Sequence, residues 1–224
     1  VKKGVQHSCN AYFCAAFKEY IDNPKFGGAD KGLESWRNYL LKFGLGQPTG
    51  IDLGGEFRGN VPTVDFYDGH YGAGGWKAST IISLSIGQGE LIVTPLQMAN
   101  MTAAIANRGF YIPPHIVKKI DSSTTEIDEG FRTRKQTGID AQHFDLVIDG
   151  MEDVVVKGTG RRAAVPGISI CGKTGTAENP HGADHSLFVA FAPKDDPQIA
   201  IAVIVENAGF GSTWGAPIAG LMIE

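Results

Sequence analysis

Three strand-like segments crowd into the last third of the chain, at Ile168 to Thr176, Ser186 to Ala192 and Ile199 to Glu206. Runs of this length and composition bury their side chains as strands, and the latter two are joined by the turn signal Lys194-Asp195-Asp196-Pro197. Ahead of them the pattern is helical. Tyr12, Phe13, Ala16, Phe17 and Tyr20 recur at three- and four-residue steps between Ser8 and Asp22, where Asn23-Pro24 ends the run. Leu33, Trp36, Leu40 and Phe43 repeat that spacing, with Gly44 placed to close the helix. Thr94-Pro95-Leu96-Gln97 opens a third helix, since threonine caps, proline suits the first turn and glutamine completes a capping box. It runs to about Asn107, and Gly109 closes it. Phe144, Val147, Ile148, Met151 and Val155 mark a fourth, stopped by Gly158-Thr159-Gly160, and a last helix begins near Trp214. Lys118 to Thr133 reads as strand, turn and strand. The glycine-rich stretch from Gly44 to Gly75 has little periodicity and reads as an irregular, functional loop system.

These elements fit one domain over residues 1–224, with a helical and loop part over about 1–160 and a sheet with its C-terminal helix over about 161–224. The formal charge of −4 provides no general attraction for nucleic acid, and the one compact basic run, Arg132-Thr133-Arg134-Lys135, reads as a solvated loop. No apolar run reaches the ~18 residues of a membrane span. Cys9, Cys14 and Cys171 are odd in number and lack the paired spacing of a zinc site or disulfide framework, so free, mostly buried thiols are expected.

The chemistry concentrates in two places. Gly167 to Thr174 matches the nucleotide-binding P-loop pattern letter for letter. A P-loop, however, needs a phosphate-wrapping turn within it and a helix after it. Here the internal residues are strand-like, and Gly175, Asn179, Pro180 and Gly182 follow. Lys173-Thr174-Gly175-Thr176 reads instead as an edge strand beside a groove. Lysine brings a positive charge, the Thr174 and Thr176 hydroxyls can bind a carboxylate, and Gly175 admits a substrate backbone. The amide of Thr176 can serve as half of an oxyanion hole, where one preorganised donor is worth roughly 3–4 kcal/mol. Near the start, Ser8-Cys9-Asn10 places a hydroxyl and a carboxamide before a helix. Ser8 is a candidate proton shuttle and Asn10 a candidate substrate-amide partner, although both residue types also favour plain helix capping. His181 and His185 stand four apart but flank Gly182, which favours loop residues over metal ligands. Cys171, in an apolar strand, reads as a buried structural thiol.

Ser-x-Asn followed far downstream by Lys-Thr-Gly resembles the later part of the penicillin-binding protein and β-lactamase signature. Phe43-Gly44-Leu45-Gly46-Gln47-Pro48-Thr49-Gly50-Ile51-Asp52-Leu53, Ser85-Ile86-Gly87-Gln88-Gly89 and Thr94-Pro95-Leu96-Gln97-Met98-Ala99 narrow it to the class B penicillin-binding proteins, nearest the penicillin-binding protein 2 type. The resemblance implies an α+β fold, an antiparallel sheet flanked by helices, incomplete at the N-terminus. It implies Ser8, Asn10 and Lys173 as catalytic residues, with Thr174, Gly175 and Thr176 binding substrate. Gly87-Gln88-Gly89 would shape the site from behind. The implied reaction is serine-type D,D-transpeptidation of stem peptides ending in D-alanyl-D-alanine, without metal or cofactor, inhibited by β-lactams. It further implies an inner-membrane anchor outside this chain, a periplasmic domain, and the rod-elongation machinery as partner.

One part of the signature is missing, because no serine or threonine here has a lysine three residues later. Loss of a nucleophile costs on the order of 10⁶ in turnover, so the chain is expected to be inactive alone. Ile199 to Glu206 is expected to be a free sheet edge that invites self-association. Two alternatives stand beside this reading. One is a β-lactamase or D,D-carboxypeptidase of the same superfamily, and the other is a non-catalytic penicillin-recognising sensor or scaffold.

Overall fold

The computed structural model describes residues 1–121 and 127–224. Its helices are α1 (Lys2–Gln6), α2 (Asn10–Ile21), α3 (Ala29–Lys42), α4 (Val64–Tyr71), α5 (Pro95–Ala106), α6 (Gln142–Lys157) and α7 (Gly215–Ile223). Its strands are β1 (Phe110–Tyr111), β2 (Lys135–Gln136), β3 (Cys171–Ala177), β4 (His185–Ala192) and β5 (Ile199–Val205).

The last three strands form an antiparallel sheet in the order β3-β4-β5, as the apolar runs require. Strand alternation sorts its two faces. Phe188 and Ala190, opposite Val203 and Ile201, face α7 and the turn at Ala163. Cys171 and Phe191, beside Ala200, face the opposite way, onto Phe144, Ile148, Met151 and Val154 of α6 and Val5 of α1. β3 begins at Cys171 rather than Ile168, because Ile168 instead bridges back to Val165 in a small turn. A separate core joins α2, α3 and α4 through Phe17, Ile21, Leu33, Tyr67, Trp76 and Ile81. The molecule thus has a sheet lobe and a helical lobe, and the outer edge of β3 borders the space between them.

The 44–75 stretch is more ordered than its glycine content implies. It contains α4, capped by Thr63, whose hydroxyl accepts from Phe66 N at 3.2 Å. Only eight residues long and mixed in character, α4 has too few turns to display a clear helical period. The rest of the stretch is held by carboxylates that accept backbone N–H groups. Glu56 takes those of Thr49 and Gly50, and Asp52 takes those of Ile116 and Val117 at 2.7 and 2.9 Å. The expected strands between Lys118 and Thr133 are absent among the described residues. Glu129–Arg132 is a 3₁₀ turn, β1 pairs instead with β2, and residues 122–126 lie outside the described residues.

Gln97 links the two kinds of structure. The capping box is formed, with Gln97 N donating to Thr94 Oγ1 and Thr94 N donating to Gln97 Oε1, each at 3.2 Å. The same side chain is fully buried and donates to the carbonyls of Gln47 at 2.8 Å and Arg58 at 2.9 Å. A capping residue therefore also fastens the long loop system to the start of α5. Gln97→Leu takes the side-chain partner from those two carbonyls and from the Thr94 amide, at roughly 1–3 kcal/mol for each group that water does not reach. We expect a fall of about 2–4 kcal/mol in unfolding free energy, read from the urea midpoint with an unchanged slope. A loss below about 0.5 kcal/mol would mean that water replaces the side chain.

Candidate active site

Ser8 is positioned by the turn between α1 and α2. Its φ of 51° is unusual for a non-glycine residue, and its amide donates to Val5 O at 3.1 Å. Cys9, not Ser8 or Asn10, occupies the N-cap of α2, and no side chain caps that helix. The capping alternative for Ser-x-Asn therefore fails. The left-handed turn throws the Ser8 side chain across the cleft, where Lys173 Nζ donates to Ser8 Oγ at 2.6 Å, a contact between residues 165 positions apart. Asn10, on the first turn of α2, lines the same cleft, which measures about 460 Å³ and also includes Phe13, Ser85, Gln88 and Thr174 to Thr176.

Lys173 also donates to the Thr174 carbonyl at 2.7 Å. That carbonyl therefore points away from β4 and into the cleft. By the two-residue alternation of a strand, the Thr176 amide faces the same free edge. Burial pushes the Lys173 ammonium down to about 8, so it is charged at neutral pH yet close to losing its proton. Because Lys173 donates to Ser8 Oγ, the Ser8 hydroxyl proton is left to point elsewhere, toward a group in the cleft. The Thr176 hydroxyl accepts from Gly211 N at 3.4 Å, and the Thr174 hydroxyl pairs with that of Thr159 at 2.8 Å. Gly175 lines the cleft with no side chain to obstruct it. All six residues singled out from the sequence thus border one cavity.

The P-loop alternative is excluded by the same geometry, since Lys173 and Thr174 lie within β3 and another strand follows. Of the three free thiols only Cys171 is buried, Cys14 being half-buried and Cys9 exposed at the N-cap of α2, and burial pushes the Cys171 thiol up to about 12, so it is no nucleophile. His185 accepts from Asn207 N through Nδ1 at 3.0 Å, and among the described residues no group of three or more metal-ligating side chains is gathered. Gly87-Gln88-Gly89 does border the site, with both glycines at positive φ and Gln88 lining the cleft. Ser85, whose hydroxyl lies 3.2 Å from Cys14 Sγ, and Phe13 were not singled out as site residues. The sequence signal at Ser85 is only its place in the Ser85 to Gly89 segment, and that at Phe13 only its place in the α2 apolar stripe.

Beside the polar cleft lies an apolar cavity of about 380 Å³. Trp36, Leu40, Leu84, Met98 and Met101 wall it on the side of the helical lobe and α5, and it shares Lys173 to Thr176 with the polar cleft.

The model of the penicillin-binding protein transpeptidase domain matches residues 1–224. A curated relative, the peptidoglycan D,D-transpeptidase MrdA of Acinetobacter baumannii, is 33% identical over 94% of this chain and 32% of its own length. The crystal structure of Pseudomonas aeruginosa PBP2 in complex with WCK 5153 superposes with a TM-score of 0.80 at 32% identity, covering 99% of this chain and 46% of that one. Helicobacter pylori PBP2 in a complex with MreC gives 0.77 at 26% identity, covering 98% of this chain and 38% of that one. The chain spans about a third of the length of the curated relative.

The depressed lysine has a thermodynamic signature. Between about pH 8 and the ordinary lysine value of 10.5, the unfolded chain holds a proton that the folded chain has shed. Stability therefore rises with pH across that window through this group. The stability difference between the parent and Lys173→Met, followed by thermal melting from pH 7 to 10.5, should shift in favour of the parent as pH rises. A flat difference would mean that the ammonium is solvated.

Proposed function

The chain belongs to the penicillin-binding protein transpeptidase family, and we propose that it is the C-terminal part of the transpeptidase domain of a peptidoglycan D,D-transpeptidase. The observation that carries this reading is the Lys173–Ser8 contact across the cleft, which joins the two motifs into one proton-handling pair. In the longer protein a serine from elsewhere attacks the penultimate carbonyl of a D-alanyl-D-alanine terminus. Thr174 and Thr176 hydrogen-bond the terminal carboxylate, and Asn10 holds the amide of the acyl donor. The Thr176 N–H stabilises the oxygen that becomes negative in the tetrahedral intermediate. Ser8 then passes its proton to the departing amine of D-alanine and is reprotonated by the lysine of the nucleophile's own Ser-x-x-Lys segment, which took the proton of the attacking serine, while Lys173 supports the charge that passes through the Ser8 oxygen. An amine from a neighbouring stem peptide attacks the resulting ester, releasing the enzyme serine and forming the cross-link.

The nucleophile is assigned to a Ser-x-x-Lys segment outside these 224 residues, because no such pair occurs within them. The apolar cavity beside the cleft is a fitting seat for that segment, since it shares Lys173 to Thr176 with the polar cleft. We further assign the longer protein to the inner membrane, with this domain in the periplasm, and to the cell-wall elongation machinery. The complex of Helicobacter pylori PBP2 with MreC supports that partnership. Among the described residues nothing pairs with the outer edge of β5, and Leu221 and Met222 of α7 are exposed. This edge is a surface for self-association of the chain on its own.

Benzylpenicillin should leave the mass of the 224-residue chain unchanged, whereas the longer protein gains one penicilloyl group. In the longer protein Ser8→Ala should slow acylation by roughly 10²–10⁴, the scale of a lost general acid–base step. A stoichiometric penicilloyl increment on the short chain, by intact-mass spectrometry, would place the nucleophile inside it and overturn the assignment. Light scattering should show the short chain self-associating, and a clean monomer at high concentration would remove the edge-pairing proposal.

A further inference from the structure

Gly158-Thr159-Gly160 ends α6, and its central side chain reaches the site. Thr159 Oγ1 lies 2.8 Å from Thr174 Oγ1. The turn is built to hold it there. A Cβ on Gly158 would stand 2.5 Å from the Gln6 carbonyl and 2.7 Å from Val154 Cα. One on Gly160 would stand 2.9 Å from both Phe188 and Val154 side chains. Gly160 N donates to Val154 O at 2.9 Å, locking the turn onto the end of α6. Phe188 is also the residue opposite Thr174 in the β3–β4 register. The packing that forces glycine at 160 therefore seats the turn directly on the pair of strands carrying Thr174.

Resting on the transpeptidase reading, we propose that Thr159 is a positioning residue that aims the Thr174 hydroxyl proton at the substrate carboxylate. A hydroxyl donates only one hydrogen bond. When Thr174 donates it to a carboxylate, its oxygen is free to accept from Thr159, and the two bonds polarise each other in series. With Thr159 absent, the Thr174 hydroxyl rotates among its staggered positions and meets the carboxylate less often in the productive one. Thr159 thereby serves carboxylate recognition rather than the acyl-transfer step.

The test uses the longer protein that contains this chain, acylated by benzylpenicillin, which carries the carboxylate, and by benzylpenicillin methyl ester, which does not. Thr159→Val keeps the shape and removes the hydroxyl, Thr159→Ser restores it, and Thr174→Val removes the partner. The expected result is a five- to tenfold lower second-order acylation rate constant for Thr159→Val with benzylpenicillin. The methyl ester should be unaffected, Thr159→Ser should recover most of the loss, and Thr159→Val should add nothing in a Thr174→Val background. An equal loss for acid and ester would mean a structural role and overturn the proposal. So would an unchanged Thr159→Val in an enzyme where Thr174→Val lowers the acid rate, although the carboxylate assignment would then stand. If Thr174→Val itself leaves the preference for acid over ester intact, the carboxylate site as read here falls together with the role of Thr159.

Discussion

The outer edge of β3, which no strand among the described residues pairs, is the constraint on which the rest depends. A strand paired on both sides would present neither the Thr174 carbonyl that anchors Lys173 nor the Thr176 amide that faces the cleft. Because β4 takes the inner edge over all seven residues of β3, the outer edge is held in place by a complete ladder without being covered by one. Exposed edges are usually a liability, and here the liability is converted into a rigid row of backbone donors and acceptors. The β4–β5 turn is secured in turn by Lys194, whose ammonium meets Asp149 at 2.7 Å and Glu152 at 2.8 Å on α6.

The two sides of the cleft come from opposite ends of the chain, and the packing of α1 joins them. Val5 packs with Ile148 and Met151 in the core shared with α6, and Lys2 adds an ion pair to Asp153 at 3.4 Å. That anchoring fixes the left-handed turn at Ser8, so the hydroxyl arrives within 2.6 Å of Lys173. The partial burial that brings them together also lowers the lysine toward neutrality, which suits the supporting role proposed for it beside Ser8. Position and protonation thus share one cause.

Much of the fold was legible because its signals are local. The Thr94-to-Gln97 capping box, the glycine closing α3 and the three strands each follow from a few neighbouring residues. The failures were also local in origin. α1 and α4 are short, with five and eight residues, too few to establish a helical period. Between Lys118 and Thr133, β-branched residues and turn formers imitated a hairpin, but β1 and β2 instead pair across the intervening segment. The motif residues of the site could be named because their chemistry is distinctive. Phe13 could not, since it sits on a helix whose periodicity marks apolar residues without saying which face meets solvent.

The sequence alone determined the sheet in the last third, the capped helices, and the identity of the charged and hydroxyl groups available for chemistry, since these rest on spacing and residue type. Only the tertiary structure decided that Ser8 bonds Lys173 rather than capping a helix, that Gln97 ties a loop as well as a cap, and that Thr159 meets Thr174. Each of the last three is a contact between residues distant along the chain. Its geometry is set by how the lobes and α1 pack, and no local pattern carries that information.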